Sequence, residues 1–184
     1  MNKIFTITIS AALAFTLFAG CGKADAVLYK DNATALLADK TSWTATADSE
    51  TPDGWENTGK ATAVLDGNIA TYWHTDYSVV TPYPHWVLID MKKEYNLITV
   101  MVTNRQGSKP NKIGMKKFKL EGSTDGTNFE LLGEFELAIS NSAQSFPVSS
   151  DKAYRYIKLT ALTSQTGTTN HTFLAEIDVV VTKS

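Results

Sequence analysis

The chain has 184 residues, with 17 basic and 19 acidic side chains and a formal net charge of −2. This balance excludes the basic excess that a nucleic-acid-binding face requires, so no nucleic-acid partner is expected. The single cysteine, Cys21, excludes a disulfide and a cysteine-based metal site, and the length suits one domain with a short tether.

The N-terminal residues have the pattern of a bacterial lipoprotein signal. Lys3 precedes an uncharged apolar run over residues 4–18, which is too short for a comfortable membrane span. Small residues then lead to Cys21, which cleavage would leave as the lipid-bearing N-terminus. The alternative is an ordinary secretory signal with a chance cysteine. Gly22 after the cysteine gives no obvious inner-membrane retention signal, which favours the outer membrane.

These features divide the chain into three parts. We predict a signal peptide over residues 1–20, a tether over 21–40 and one domain over 41–184. Within the tether, residues 33–38 predict a short helical turn.

From residue 43 onward, short β-type runs separated by turns replace helical periodicity. Phe118 and Leu120 alternate with charged residues, and Ile177 and Val179 share one face near the end of the chain. Short strands with little helix predict an all-β, antiparallel β-sandwich. The strands are expected at residues 86–90, 96–103, 117–121, 129–132, 143–148, 154–161 and 175–181.

One turn is rich in oxygen ligands. Asp66, Gly67 and Asn68 form a tight turn, and Thr71 adds a hydroxyl just beyond it. Together with the distant carboxylate of Glu176, these oxygens suit a hard cation such as Ca²⁺. Such a site requires no histidine or thiolate ligand, which argues against zinc. The alternative is a plain turn and a carboxylate that faces water.

Five segments in order resemble a known family. They are Leu65-Asp-Gly-Asn68 with Thr71-Tyr-Trp-His74, Trp86-Val-Leu-Ile-Asp90, Ser123-Thr-Asp-Gly-Thr-Asn-Phe129, Arg155-Tyr-Ile-Lys-Leu159 and Ala175-Glu-Ile177. Together they resemble the discoidin domain, also called the coagulation factor V/VIII C-terminal domain. Its bacterial sugar-binding branch is carbohydrate-binding module family 32. The resemblance covers roughly residues 43–182.

The resemblance implies an eight-stranded antiparallel jelly-roll β-sandwich of the galactose-binding type. It also implies a structural Ca²⁺ that joins segments far apart in the sequence. By position, its ligands would be the Ala63 carbonyl, the Asp66 side chain, the Asn68 carbonyl, the Thr71 hydroxyl and carbonyl, the Ala175 carbonyl and the Glu176 carboxylate.

The resemblance further implies a sugar site, because sugars need planar rings and a few fixed donors and acceptors. His74, Asn104, Arg105 and Phe173 match positions that contact sugar in the family. Relatives often have proline where Asn104 stands, which is a departure in this loop.

Each of these side chains has an alternative structural role. His74 could only hydrogen-bond a neighbouring loop, Arg105 could pair with Glu50 or Asp76, and Phe173 could plug the end of the sandwich. Trp55 lies in a polar, glycine-flanked loop that is unusual for a core tryptophan, so we also predict it as an exposed sugar platform. Tyr77 and Tyr83 could line the rim or simply pack, and His171 could join Phe173 in the last loop.

These observations predict a lipid-anchored, non-catalytic carbohydrate-binding protein of the bacterial envelope, placed in the outer membrane near glycan-processing proteins. The chain has no nucleophile-elbow sequence, catalytic zinc motif or P-loop, so we do not expect an enzyme. The alternative is a protein-binding or adhesion module, since discoidin domains also bind proteins and lipid surfaces.

Overall fold

The computed structural model describes residues 35–52, 59–148 and 150–183, and its architecture is all-β. Eight of the described strands have four residues or more, which confirms the predicted eight-stranded antiparallel sandwich, and three shorter strands are added to them. The strands are β1 (Ala35–Leu37), β2 (Thr44–Ala47), β3 (Trp73–His74), β4 (His85–Tyr95), β5 (Leu97–Thr103), β6 (Lys117–Ser123), β7 (Glu130–Glu136), β8 (Gln144–Pro147), β9 (Tyr154–Ala161), β10 (Phe173–Leu174) and β11 (Glu176–Thr182). A 3₁₀ helix, η1 (Ala61–Leu65), precedes the Asp66 turn.

Two antiparallel sheets form the layers of the sandwich. The five-stranded sheet has the order β2-β4-β9-β6-β7, and the four-stranded sheet has the order β1-β11-β5-β8. β3 and β10 form a separate two-stranded ribbon. Inward-facing apolar side chains of both sheets make one main core.

Local alternation sets the register of the central strands, because a slip of one residue would turn every apolar side chain to the other face. Phe118 and Leu120 of β6 are fully buried and lie opposite Ala161 and Leu159 of β9. Ile177 in β11 is buried in the same way, as are Val179 and Val181. The faces predicted for these strands are therefore confirmed.

The first strand lies in a part of the chain that we predicted as tether. Ala35–Leu37 is neither helical nor free of the domain, because it pairs with β11 from Val180 to Thr182. The predicted helical turn over residues 33–38 is therefore wrong for residues 35–37. Hydrogen bonds to a strand 145 positions later decide this conformation, and local propensity does not report them.

Two predicted features lie outside the described residues. These are Cys21 with its signal and Trp55 with its loop, and both stay predictions. Among the residues that are described, no helix is long and apolar enough to cross a membrane.

Candidate functional site

A two-stranded ribbon joins segments that are far apart in the sequence. In the pairing of β3 with β10, His74 lies opposite Phe173 and Trp73 lies opposite Leu174. Trp73 and Leu174 are fully buried in the main core, whereas Phe173 belongs to a separate small apolar group with Tyr72. One face of the ribbon therefore belongs to the core, and the other carries a second cluster of rings.

Four rings of the described residues lie around the imidazole of His74. Its centroid lies 5.3 Å from that of Phe173, 5.9 Å from those of His171 and Tyr77, and 6.4 Å from that of Tyr72. The Tyr77 ring stands edge-on at 88°, and the Phe173 ring is tilted by 33°. These separations are typical of favourable aromatic pairs.

The guanidinium of Arg105 joins these rings from the loop after β5. Its Cζ lies 4.3 Å from the ring centroid of Tyr72 and 5.6 Å from that of Phe173, which are cation–π distances. The backbone N–H of Arg105 donates to the Asn104 side-chain oxygen at 2.9 Å, which helps to fix the start of the loop. We call these side chains the aromatic cluster: Tyr72, His74, Tyr77, Arg105, His171 and Phe173.

Backbone hydrogen bonds hold His74 on two sides. Its N–H donates to the Gly59 carbonyl at 3.2 Å, and its carbonyl accepts from the N–H of Thr51 at 2.8 Å. The His74 Nδ1 lies 2.5 Å from the Thr75 carbonyl oxygen. Because a carbonyl oxygen only accepts, Nδ1 carries a hydrogen, and this contact orients the ring.

The predicted sugar contacts differ in exposure. His74 and Arg105 are half-buried, whereas Phe173 is 1 % exposed and Asn104 is 0 % exposed. The Phe173 ring thus takes the position of an end plug that also supports His74 and Arg105. The amide nitrogen of Asn104 has no hydrogen-bond partner among the described residues. A direct sugar contact by either residue stays a prediction.

The loop at residues 105–114 packs closely on Phe173. A Cβ added to Gly114 would stand 2.6 Å from the Cε2 of Phe173, closer than real Cβ contacts. Only glycine therefore fits at this position without displacing the Phe173 ring. The backbone of one loop thereby sets how far the Phe173 ring can move.

The carboxylates proposed as alternative partners of Arg105 bond to other groups. Glu50 accepts from Lys60 Nζ at 3.2 Å and from the Ala61 N–H at 2.9 Å. Asp76 accepts from the N–H and hydroxyl of Ser78, and these hydrogen bonds lower the pKa of Asp76.

A buried histidine ties together the loops beside the cluster. His85 is 1 % exposed. Its Nδ1 lies 2.8 Å from Asp48 Oδ2, and its Nε2 lies 2.8 Å from the Asn170 carbonyl and 3.1 Å from that of Thr81. Both nitrogens face acceptors, so the arrangement suits the doubly protonated ring. Burial lowers the pKa of His85, but the hydrogen bonds to Asp48 and to the carbonyls outweigh it and raise the pKa overall.

A second group of polar side chains lies where β11 begins. Glu176 is 3 % exposed, and the side chain of Asp66 comes within hydrogen-bonding reach of it. The Lys40 ammonium forms ion pairs with Glu176 and, at 2.6 Å, with Asp178 Oδ1. The name acidic cluster is used below for Lys40, Asp66, Glu176 and Asp178.

The charges and hydrogen bonds within the acidic cluster do not satisfy every buried group. Burial raises the pKa of Glu176, Lys40 opposes that rise, and the hydrogen bond with Asp66 adds to it. Burial disfavours the charge of Lys40, yet its hydrogen bonds with Asp178 and Glu176 raise its pKa. Glu176 Oε1 is buried and has no hydrogen-bond partner among the described residues. An unpartnered buried oxygen of this kind is costly.

These residues fit the cation that the resemblance implies. The orphaned Glu176 oxygen and the adjacent Asp66 carboxylate supply negative charge, and the turn supplies the Asn68 carbonyl and the Thr71 hydroxyl, which lie 2.6 Å apart. No group of three His, Cys, Asp or Glu side chains suited to a metal occurs in the described part of the chain. Any metal here would therefore depend on backbone and hydroxyl oxygens as well, which Ca²⁺ accepts.

Comparison with known families agrees with this architecture. The family model of the F5/8 type C domain matches residues 34–177. The chain belongs to this family. The predicted resemblance to discoidin domains is thereby confirmed.

Individual relatives place this F5/8 type C domain near carbohydrate-binding modules. CpGH89CBM32-5 from Clostridium perfringens, solved in complex with GalNAc-β-1,3-galactose, is 27 % identical, with a TM-score of 0.69 over 78 % of this chain and 99 % of that chain. The C-terminal domain of a chitobiase from Bacteroides fragilis is 28 % identical, with a TM-score of 0.71 over 80 % of this chain and 99 % of that one. A sialidase from Micromonospora viridifaciens is 29 % identical over 138 residues, which are 72 % of this chain and 20 % of the sialidase. The chain thus spans about a fifth of that enzyme.

Sequence reasoning missed three members of the clusters in this F5/8 type C domain, which are Tyr72, Lys40 and Asp178. Tyr72 lies two positions before His74, and the period of two in a strand places both side chains on one face. That spacing could have identified Tyr72. Nothing local could have identified Lys40, because its partner Glu176 lies 136 positions later.

Proposed function

We propose that this protein is a non-catalytic carbohydrate-binding protein that captures glycans at the aromatic cluster. The observation that carries the proposal is that the Arg105 guanidinium and the His74 imidazole are held against a group of rings at the ribbon of β3 and β10. The likeness to CpGH89CBM32-5, whose structure contains GalNAc-β-1,3-galactose, supports it.

The cluster offers the two kinds of contact that a sugar needs. Tyr77 is 37 % exposed and presents a ring to the apolar C–H face of a pyranose. The half-buried His74 and Arg105 bring nitrogen groups that hydrogen-bond ring hydroxyls. Ligand contact is assigned to these three side chains, while Phe173 and Tyr72 support them from within the fold.

The proposal is a binding role because the cluster combines rings with basic groups. Hydrolysis of glycosides generally uses a pair of carboxylates placed on either side of the scissile bond. The sialidase relative is an enzyme of which this chain matches only about a fifth. We therefore assign the chain the role of glycan capture beside envelope glycan-processing proteins.

A structural Ca²⁺ in the acidic cluster is part of the proposal. Asp66 and Glu176 would hold it, together with the Asn68 carbonyl and the Thr71 hydroxyl. When bound, the ion would join the Asp66 turn to the start of β11 and stabilise the folded state alone. The melting temperature is expected to be higher in calcium than in chelator, and identical melting curves would remove this part of the proposal.

Lipid attachment at Cys21 is proposed to place the protein in the outer membrane. The described chain begins at β1, and Ala35 pairs with Thr182 at the far end of β11 from Glu176. The strand between them spans roughly 20 Å at about 3.3 Å per residue. An anchor before β1 would thus attach at the end of β11 opposite Glu176. Replacing Cys21 by Ser should move the protein out of the detergent phase, and unchanged partitioning would refute the anchor.

A glycan array is the test of the function. Wild type, His74→Ala and the control variant Leu131→Ala, whose side chain is 60 % exposed on β7, would be applied at matched concentration. We expect the wild type and the control to bind the same glycans, and His74→Ala to lose the signal while it keeps its melting temperature within a few degrees. Equal binding by all three proteins would exclude the aromatic cluster as the site.

One observation favours a second candidate, which is a protein-binding or adhesion module. Val79 and Val80, in the loop after Tyr77, are 58 % and 68 % exposed. Exposed aliphatic side chains beside a binding site suit contact with a protein better than contact with a sugar. An array without hits, together with capture of an envelope protein that Val80→Asp abolishes, would favour this candidate.

A further inference from the structure

The Lys40 ammonium lies among three oxygens of β11. It contacts Glu176 Oε2, lies 2.6 Å from Asp178 Oδ1 and lies 3.4 Å from the Ile177 carbonyl oxygen. An ammonium group has three hydrogen-bond donors, so these acceptors use all of them. The Lys40 side chain is only 15 % exposed, which makes this a largely desolvated contact.

Lys40 contacts one carboxylate oxygen of Glu176 and leaves the other without a partner among the described residues. The oxygen that it contacts is Oε2, whereas Oε1 is buried and has no hydrogen-bond partner among the described residues. Asp66 approaches Glu176 closely enough for their carboxyl groups to interact. Glu176 thus has one oxygen neutralised by Lys40 and one buried oxygen that no described residue satisfies, beside the Asp66 carboxyl group.

The ionised side chains of the acidic cluster carry an excess of two negative charges. Asp66, Glu176 and Asp178 contribute three negative charges when ionised, and Lys40 contributes one positive charge. The net charge of −2 matches one Ca²⁺. Without the lysine, the cluster would carry one more negative charge and Glu176 would have both oxygens available to the ion.

We propose that Lys40 is a built-in counter-ion that sets the calcium affinity of this site. It holds Glu176 through one oxygen, limits the charge offered to the metal and stabilises the buried carboxylate when no metal is bound. Lys40 is therefore a positioning residue that acts through Glu176. This inference rests on the calcium site of the proposed function.

The same contact links the first strand to the site. Lys40 follows Ala38, whose N–H donates to the Val179 carbonyl at 2.8 Å and extends the pairing of β1 with β11. The segment that leads from β1 to β2 is thus held to β11 by backbone and side chain together. Removing the ammonium should loosen this segment in the absence of calcium and make the fold depend more strongly on the ion.

Three variants test the proposal on the full chain. Lys40→Met removes the charge and keeps a similar stem. Asp178→Asn removes the competing carboxylate, so the Lys40 charge acts on Glu176 alone. Lys119→Met is the matched control, because Lys119 forms a comparable ion pair with Glu121 at 2.8 Å on β6.

Calcium affinity would be measured by isothermal titration calorimetry after chelator dialysis, and melting curves would be recorded in calcium and in chelator. For Lys40→Met we expect roughly tenfold tighter calcium binding, a lower melting temperature in chelator and a wider gap between the two curves. For Asp178→Asn we expect weaker calcium binding than for wild type. Lys119→Met should match wild type in the calcium affinity and in the gap. If Lys40→Met does not fold in chelator, the opposite shift of Asp178→Asn still decides the question.

The proposal is overturned if Lys40→Met and Asp178→Asn bind calcium as wild type does, if their shifts are reversed, or if none of the proteins binds calcium. Glycan binding is read separately through His74→Ala. Loss of all glycan signal with the calcium shifts intact would remove the glycan function alone. Glycan binding with equal calcium affinity in all variants would remove only the role of Lys40, and no calcium binding by any protein would remove the calcium site as well.

Discussion

The aromatic cluster and the acidic cluster lie side by side along the same stretch of chain, yet they are stabilised in different ways. Phe173 belongs to the first and Glu176, three residues later, belongs to the second. The rings of the first cluster contact His74, and hydrogen bonds of the neighbouring backbone hold His74 in place. The carboxylate of Glu176 keeps a buried oxygen without a partner.

This contrast shows which part of the site is complete without a ligand. Packing, cation–π contacts and backbone hydrogen bonds hold the aromatic cluster, so it is preformed for binding and loses little freedom when a sugar arrives. The acidic cluster has charges that its own side chains do not balance. A cation is therefore expected to change the stability of the molecule more than its shape.

The largest expected effect comes from Phe173→Ala, which removes the ring that supports the aromatic cluster. Truncating a buried phenylalanine typically costs about 3–5 kcal/mol of unfolding free energy, because it leaves a cavity. We expect a comparable loss in urea unfolding, together with loss of glycan binding. Substitutions at exposed sites usually change the unfolding free energy by less than about 1 kcal/mol. A change that small for Phe173→Ala would show that this ring contributes little to the fold.

Gly114→Ala should have the next largest effect and should separate support from contact. The added Cβ meets Phe173 at 2.6 Å, and overpacking of this kind costs about 1–3 kcal/mol. The substitution introduces no group near the exposed side of the cluster, so weakened glycan binding would report displacement of the rings. Gly167→Ala provides a contrast, since a Cβ there meets nothing within 4 Å, although its φ of +71° adds backbone strain. If Gly114→Ala bound and unfolded like wild type, the rings would not depend on this close approach.

Arg105→Lys sharpens the comparison further, because it keeps the charge and removes the planar guanidinium. Arginine and lysine are not equivalent where a flat group stacks on rings. We expect a loss of about 1 kcal/mol in glycan binding, or roughly fivefold in Kd, and little change in stability. Isothermal titration with the best glycan from the array would measure it. Unchanged affinity would mean that the charge alone matters.

Strands with strong alternation could be predicted from sequence, and the sites could be predicted only in part. Phe118 and Leu120 were placed correctly because a period of two is a local signal. β1 was missed because Ala35 has no such pattern, and its pairing with Thr182 depends on the opposite end of the chain. The turn at Asp66 was recognised from residue types and from the family resemblance.

The finer parts of both clusters depend on contacts that no local pattern encodes. β10 has only two residues, so its pairing with β3 gives almost no periodic signal. Residue type alone also could not distinguish a ring that contacts ligand from a ring that supports one. Phe173 is predicted either as a sugar contact or as a plug of the sandwich end, and the structure shows it 1 % exposed, while sugar contact stays a prediction.

The smallest expected effect is a pH dependence that originates at His85, between the loops that flank the aromatic cluster. Two titratable groups face its ring: Asp48 through a hydrogen bond, and Tyr83 at 5.1 Å between centroids. The pKa of His85 is raised in the folded protein, so its stabilising contribution is complete below its unfolded pKa of about 6.5. That contribution is lost as the pH rises through the folded value. We expect the melting temperature to fall by a few degrees from pH 6 to pH 8.5 for this reason.

Asp48→Asn is the variant that isolates this effect. Its amide can donate to a neutral imidazole and can still accept from the Trp86 N–H, which lies 2.7 Å from Asp48 Oδ1. A proton on His85 Nδ1 then no longer stabilises the folded protein, because the amide bonds equally well to the neutral ring. The fall in melting temperature over this pH range should therefore be smaller than for wild type. Parallel pH profiles for the two proteins would show that His85 does not titrate in this window. In that case the loops beside the aromatic cluster would be held by uncharged hydrogen bonds, and the charge-dependent behaviour of the molecule would be confined to the acidic cluster.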